Sequence, residues 1–278
     1  MKRRTMLLAG LGGAGALVVA WGLMPARSRL GRADIFKAEG GIALNGWIRI
    51  TPKGRVQLAM PRSEMGQGVH TALAQMVAEE LSVTLAQVDL VQAGHDAIYG
   101  NVAMLVASVP VQPEDSEPGA ETRTVRASRW IVGKLARELG INATGGSSSV
   151  ADAYEPLRMA AATARGQLLG SAALRWKQSV DEITVSDGVV QHAAGGHKAH
   201  YGELIKEAAN TPPGAVKLKP RNEWTLAGTA APRSDTFAKS SGNAGFGIDV
   251  RQHGQLFAVI RHAPALGPVP ESTAPCEP

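Results

Sequence analysis

Two glycine-rich stretches carry the residue types best suited to holding a ligand. The first, Glu64-Met65-Gly66-Gln67-Gly68-Val69-His70-Thr71, lies where an alternating pattern gives way to a helical one. Glycine removes the Cβ that keeps backbone away from a ligand, and the N–H groups of a helix's first turn favour an anionic or acceptor-rich partner. Gln67 adds an amide that both donates and accepts, which suits the edge of a heterocycle. The second, Thr144-Gly145-Gly146-Ser147-Ser148-Ser149, also opens a helix, and its serine hydroxyls beside free N–H groups make a phosphate cradle. Each stretch has a plainer reading as well. Gly66-Gln67-Gly68 is then a tight turn, and Ser148 or Ser149 an N-cap with Asp152 in the first turn. Neither fits the dinucleotide pattern G-x-G-x-x-G or the phosphate-binding loop, since no Gly-Lys-Ser/Thr occurs in either. The candidate binding residues are Gly66, Gln67, Gly68 and Val69 in one loop, and Thr144, Gly145, Gly146, Ser147, Ser148 and Ser149 in the other.

The remaining chemistry-bearing types form no catalytic constellation. The 7 histidines include no H-E-x-x-H pair, and His197 with His200 reads as part of a solvated Gly-rich loop ahead of a helix rather than as a metal site. Glu79 and Glu80 fall on the polar side of a helix and are expected in solvent. No G-x-S-x-G or Cys/His arrangement supports nucleophilic catalysis. The single cysteine, Cys276, excludes an intrachain disulfide, a four-cysteine zinc site and a cysteine-ligated iron–sulfur cluster within this chain. No catalytic residue and no metal ligand is assigned.

The loops need elements to hold them, and hydrophobic periodicity supplies these. Trp47, Ile48, Arg49 and Ile50 alternate, Pro52-Lys53-Gly54 turns, and 56–60 follows as the second strand of a hairpin. Val69, Leu73, Met76, Val77 and Leu81 recur at helical spacing, so a helix starts near Val69. Residues 88–91 read as a strand, and the Pro-rich, acidic stretch 110–121 as a loop. Ile131, Leu135 and Leu139 form one face of a helix ended by Gly140, and an alanine-rich helix runs from about Val150 through Leu168. Asp187-Gly188 marks a hairpin between 183–185 and Val189-Val190, and 201–209 is a short helix. Thr211-Pro212-Pro213-Gly214 breaks the pattern as a linker, with a second unit from Lys217 carrying strands around Val250 and over 256–260. The pattern predicts an α/β fold, in detail α+β mixed sheets with packed helices, and 278 residues allow one to two domains.

Hydrophobic residues at 44% and charged residues at 19% exclude disorder, while 4% aromatics beside 32 glycines predict an alanine-lined core. The net charge of +5 belongs to residues 1–32, which hold six basic residues and no acid; the remainder has 23 basic against 24 acidic residues. No nucleic-acid partner follows from it. Arg3-Arg4 stand ahead of the uncharged run 6–24, the arrangement of a twin-arginine export signal. The same run reads as an uncleaved anchor, because 19 residues are long enough to span a bilayer as a helix. The expected location is periplasmic, with inner-membrane attachment through the leader where it is retained.

Trp47 to Leu90, with Pro61-Arg62-Ser63-Glu64-Met65-Gly66-Gln67-Gly68-Val69-His70-Thr71 and Gln75-Met76-Val77-Ala78-Glu79-Glu80-Leu81, resembles the molybdopterin-binding subunit of the xanthine dehydrogenase family. The branch it resembles is that of isoquinoline 1-oxidoreductase and membrane-linked aldehyde dehydrogenase large subunits. Tyr99-Gly100-Asn101, Tyr154-Glu155-Pro156-Leu157-Arg158 and Gly245-Phe246-Gly247-Ile248-Asp249-Val250-Arg251 add to the likeness, which covers about residues 40–266. The resemblance implies that Gln67, Gly68 and their neighbours hold the pterin, and that Ser147, Ser148 and Ser149 hold the phosphates of a molybdopterin cytosine dinucleotide. It implies hydroxylation of a carbon next to nitrogen or in an aldehyde, with a glutamate as base. Electrons then leave through iron–sulfur clusters on a small partner subunit, with or without a cytochrome c subunit.

Residue patterning and resemblance together give the expected domain order: a leader over 1–32, a molybdopterin-binding domain over 40–212, the start of a second, incomplete domain over 217–263, and a Pro-rich tail outside the family pattern over 264–278. Family members run to several hundred residues more, and the glutamate base belongs to that further part. A frameshifted, truncated or short paralogous chain is the expectation, inert alone. The alternative is a non-catalytic module that binds an acidic cofactor or a protein partner.

Overall fold

The computed structural model describes residues 15–260, apart from 17, 18, 26, 116, 118 and 120, together with 262 and 267. Arg3-Arg4, Cys276 and most of the Pro-rich end lie outside the described residues. The chain divides into two compact units, Met1–Ser234 and Asp235–Pro278.

The first unit is built on two small sheets. β1 (Ile42–Ala43), β2 (Ile48–Ile50) and β3 (Val56–Met60) pair antiparallel, with Ile48 opposite Leu58 and Ile50 opposite Val56. That register puts Ile48, Ile50, Val56 and Leu58, all fully buried, on the inner face while Arg49 and Gln57 point the other way. β4 (Val88–Gln92) pairs parallel to β3, and a parallel pair needs a crossover, which α1 (Val69–Leu81) supplies. β5 (Thr184–Ser186), β6 (Val189–His192) and β7 (His197–His200) form the second sheet. Asp187 and Gly188 both take positive φ, 49° and 75°, as a two-residue Asp-Gly hairpin turn requires.

Among the described residues after Leu81, the first unit also holds α2 (Val102–Ala107), α3 (Arg123–Leu139), α4 (Ser149–Trp176) and α5 (Tyr201–Ala208). α4 packs along α1 through Ala153, Leu157, Ala160, Ala161, Ala164 and Leu168, all essentially inaccessible, so the alanine surplus permits close helix approach. Two large aromatics fill the gap that alanines leave, Trp47 and Tyr99 meeting edge to face at 5.0 Å. Ile131, Leu135 and Leu139 do share one face of α3, yet they are 44–67% exposed; the helix buries Val125, Lys134 and Ala136 instead.

Three expectations are corrected. Thr211-Pro212-Pro213-Gly214 is no linker: it lies against α4, where a Cβ on Gly166 would come 2.4 Å from the Pro213 carbonyl oxygen. The first compact unit accordingly runs on to Ser234 rather than giving way near residue 217. The second unit holds α6 (Thr236–Ser240) and a single turn at Gly247–Asp249, but no strand around Val250 or over 256–260. Leu256, Phe257, Val259 and Ile260 are exposed there, because an apolar run becomes a strand only where a neighbour completes its ladder. His197 and His200 bound strand β7 rather than a loop.

Candidate functional site

The two glycine-rich loops meet over a buried ion cluster. Arg62, just past β3 and 1% exposed, donates from Nη1 to Tyr99 O and Asn142 Oδ1, both at 2.8 Å, and from Nη2 to Asp152 Oδ2 at 2.7 Å. Arg29 binds the same carboxylate through Nη2 at 2.8 Å and Nη1 at 3.1 Å, and Ala103 N–H adds a fourth donor at 3.1 Å. Two guanidiniums on one carboxylate leave a net positive charge beneath the loops. Burial holds the Arg62 guanidinium below its ordinary value, against the opposing pull of Asp152. Its Nε is buried and has no hydrogen-bond partner among the described residues. A surplus cation with a spare donor suits an anionic ligand.

Loop one runs from Ser63 to Gly68, with Gly66 at φ 96° and Gly68 at φ 82° as N-cap of α1. A Cβ at either glycine would meet nothing within 4 Å, so the strain of positive φ, not crowding, selects glycine here. The N–H groups of Gly66, Gly68 and His70 converge on the Glu64 carboxylate at 2.9, 2.8 and 3.1 Å. Gln67 folds back on its own loop, accepting from Met65 N–H and donating to Ser63 O at 2.9 Å. In this structure the loop's own side chains engage these donors and the Gln67 amide. The arrangement still demonstrates the chemistry, since three backbone donors gather one anionic oxygen pair.

Loop two places Gly146 and Ser147 in the left-handed region, φ 58° and 51°, ahead of α4. Ser148 is the N-cap by position, but its hydroxyl does not cap. It accepts from Asn101 Nδ2 at 2.8 Å and donates to Gly145 O at 2.7 Å, and at 5% exposure it belongs to the loop's framework. Its hydroxyl is thus engaged within the loop rather than offered to a ligand in this structure. Ser147 is exposed and Ser149 half-buried, beside the first turn of a 28-residue helix without a side-chain cap. Asp152, read as a first-turn carboxylate for the helix, is engaged by Arg29 and Arg62. Thr144 Oγ1 accepts from Ser63 N–H at 2.9 Å, which ties loop two to loop one directly. Sequence reasoning did not single out Arg29, Arg62, Asn101 or Asp152 as site residues; only Asp152, a charge set between Ala151 and Ala153, carried a local signal of burial.

Glu79 and Glu80 are not solvated, at 2% and 0% exposure. Glu80 pairs with Arg158 at 2.6 Å and Arg165 at 3.2 Å. Glu79 accepts the N–H groups of Thr225, Leu226 and Ala227 at 2.6–3.0 Å. Burial opposes its ionisation, but those three donors with Lys219 outweigh it and hold the carboxyl below its ordinary value. The pair thereby fastens residues 217–227 along α1. Among the described residues no cluster of three metal-ligating side chains occurs.

Residues 12–109, which include loop one, match the molybdopterin cofactor-binding domain family. The isoquinoline 1-oxidoreductase beta chain of Brevundimonas diminuta is 30% identical over 91% of this chain and 32% of its own length. The chain is similar to oxidoreductase subunits over most of its length. Membrane-bound aldehyde dehydrogenase (pyrroloquinoline-quinone) of Gluconacetobacter polyoxogenes is 28% identical over 76% of the chain and 23% of its own length. A nicotinate dehydrogenase subunit of Pseudomonas putida is 27% identical over 80% of the chain and 15% of its own length. The chain therefore spans at most about a third of the length of these relatives.

Proposed function

We propose that this chain is the cofactor-binding part of a molybdenum hydroxylase that oxidises an aldehyde or an N-heterocycle and passes electrons to an iron–sulfur partner subunit. The observation that carries the reading is the Ser63 to Thr144 hydrogen bond, which brings both glycine-rich loops over one buried cluster of surplus positive charge. Gly66, Gln67, Gly68 and Val69 hold the pterin, with Glu64 and Gln67 releasing loop-one donors as the ligand enters. Ser147, Ser149 and the first turn of α4 hold the phosphates, so the dinucleotide form of the cofactor fits, with cytosine as its base. The bound group supplies the two-electron oxidation; the protein orients it and neutralises its charge. The names of the relatives, an aldehyde dehydrogenase and two that act on N-heterocycles, support that substrate class.

The test is chemical. The chain is produced together with cofactor-assembly machinery, and molybdenum is measured alongside the nucleotide released by acid. Equal amounts of molybdenum and cytidine monophosphate are expected, with Gln67→Ala lowering both. Molybdenum-free protein, or molybdenum without nucleotide, refutes the assignment.

A further inference from the structure

The end of the uncharged leader is built into the folded domain. Residues 19–23 are helical, and the carbonyls of Trp21, Gly22 and Met24 at the end of that turn all accept from Nζ of Lys134 on α3, the latter two at 2.9 Å. Lys134 is 8% exposed, and its ammonium lies 4.6 Å from the Trp21 ring and 5.3 Å from the Trp130 ring. A cation is favourable both at a helix C-terminus and against aromatic faces. The same cation with its three carbonyls removed is a buried charge short of acceptors.

Arg29 is the second fastening. Its Nε donates to Ile98 O at 3.1 Å and its Nη2 to Gly100 O at 2.7 Å, besides the ion pair with Asp152. Nη1 also donates to the backbone carbonyl of Asp152 at 3.2 Å. That carbonyl sits four residues before Pro156, which has no N–H to return to it, so Arg29 supplies the donor that the helix lacks. The backbone is held too: Trp47 Nε1 donates to Arg29 O at 2.6 Å, and Gly46 N–H to Leu30 O at 3.2 Å.

We propose that residues 21–25 and 27–31 are a permanent part of the folded domain, so that the leader is retained rather than removed between these two segments. A processing protease needs several residues of extended, accessible backbone, and here the chain is fastened on both sides of position 26. The retained segment is also a positioning element, because Arg29 holds the first turn of α4 beneath loop two. The inference stands on these contacts and not on the cofactor assignment.

Two measurements test it. The full chain with a C-terminal tag is exported in a bacterial host, and the N-terminus of the purified protein is read by intact mass. A mass that keeps Trp21 is expected; a product beginning at any later residue overturns the proposal. Trypsin cleavage at Arg27 of the native protein is then compared between wild type and Lys134→Met. Wild type should be cut about tenfold more slowly, with Lys134→Arg restoring most of the protection. Equal rates overturn the proposal. Where Lys134→Met does not fold, Arg29→Gln and Arg29→Lys make the same comparison, the first exposing Arg27 and the second protecting it.

Discussion

Serine 148 and its neighbour separate framework from ligand contact. Ser148→Ala leaves Asn101 Nδ2 without one of its acceptors and frees Gly145 O, and should cost about 1–2 kcal/mol in urea unfolding. Ser149→Ala touches no framework bond and should leave the midpoint unchanged while lowering bound molybdenum. Equal loss of stability in both would contradict the division of roles. Glu79 offers a test through pH. Its folded pKa lies below the ordinary 4.5, so its contribution is present in full above that range and disappears as pH falls through the lowered value. Glu79→Gln should therefore destabilise by about 2 kcal/mol at pH 7 and flatten the fall of stability below pH 4.5, as read by Tm across a pH series. A parallel fall in wild type and variant would show the carboxylate to be uninvolved.

At the scale of elements, the helix α4 organises the first unit. It meets α1 along its alanines, the 211–213 stretch at Gly166, and the ion cluster at Asp152. Gly166→Ala drives a Cβ to 2.4 Å from a backbone oxygen, and backbone cannot swing aside as a side chain can. A loss of about 2 kcal/mol or more is expected, lowering Tm by roughly 4–8 °C for a unit of this size. An unchanged Tm would mean that the 211–213 stretch lifts off without cost. α5 is tied to α1 from the other side, where the buried Tyr201 hydroxyl donates to Leu81 O at 2.6 Å and burial raises the phenol above its ordinary pKa. α3 stands apart in kind: Ile131, Leu135 and Leu139 form an exposed apolar row, while the cation Lys134 is what it buries.

For the whole molecule, the basic balance concentrated in residues 1–32 supports export by the twin-arginine route, which we propose as the origin of the leader. Replacing both Arg3 and Arg4 by Lys should keep the protein in the cytoplasm on fractionation, whereas unchanged export would remove that reading. Among the described residues no helix is long and apolar enough to cross a membrane.

Local periodicity and turn chemistry determined a good part of this protein from its sequence. The starts of α1 at Val69 and α4 at Ser149, the strands 48–50, 56–60 and 88–92, and the Asp187-Gly188 hairpin all follow from patterns within a few residues. The two glycine-rich loops were legible for the same reason, because glycine at positive φ marks a backbone that few other residues tolerate. What each polar side chain does within those loops was not legible. Gln67 and Ser148 chose partners on the loops themselves or on Asn101, Glu64 took loop N–H groups together with the distant Arg233, and Glu79 and Glu80 found partners 78 to 148 residues away. Burial of a charge is decided by whether its partner arrives in three dimensions, and hydropathy along one helix carries no record of that. The missing strand at 256–260 is the converse case: its apolar run satisfies every local rule, and only a neighbouring strand, a tertiary fact, could have made it one.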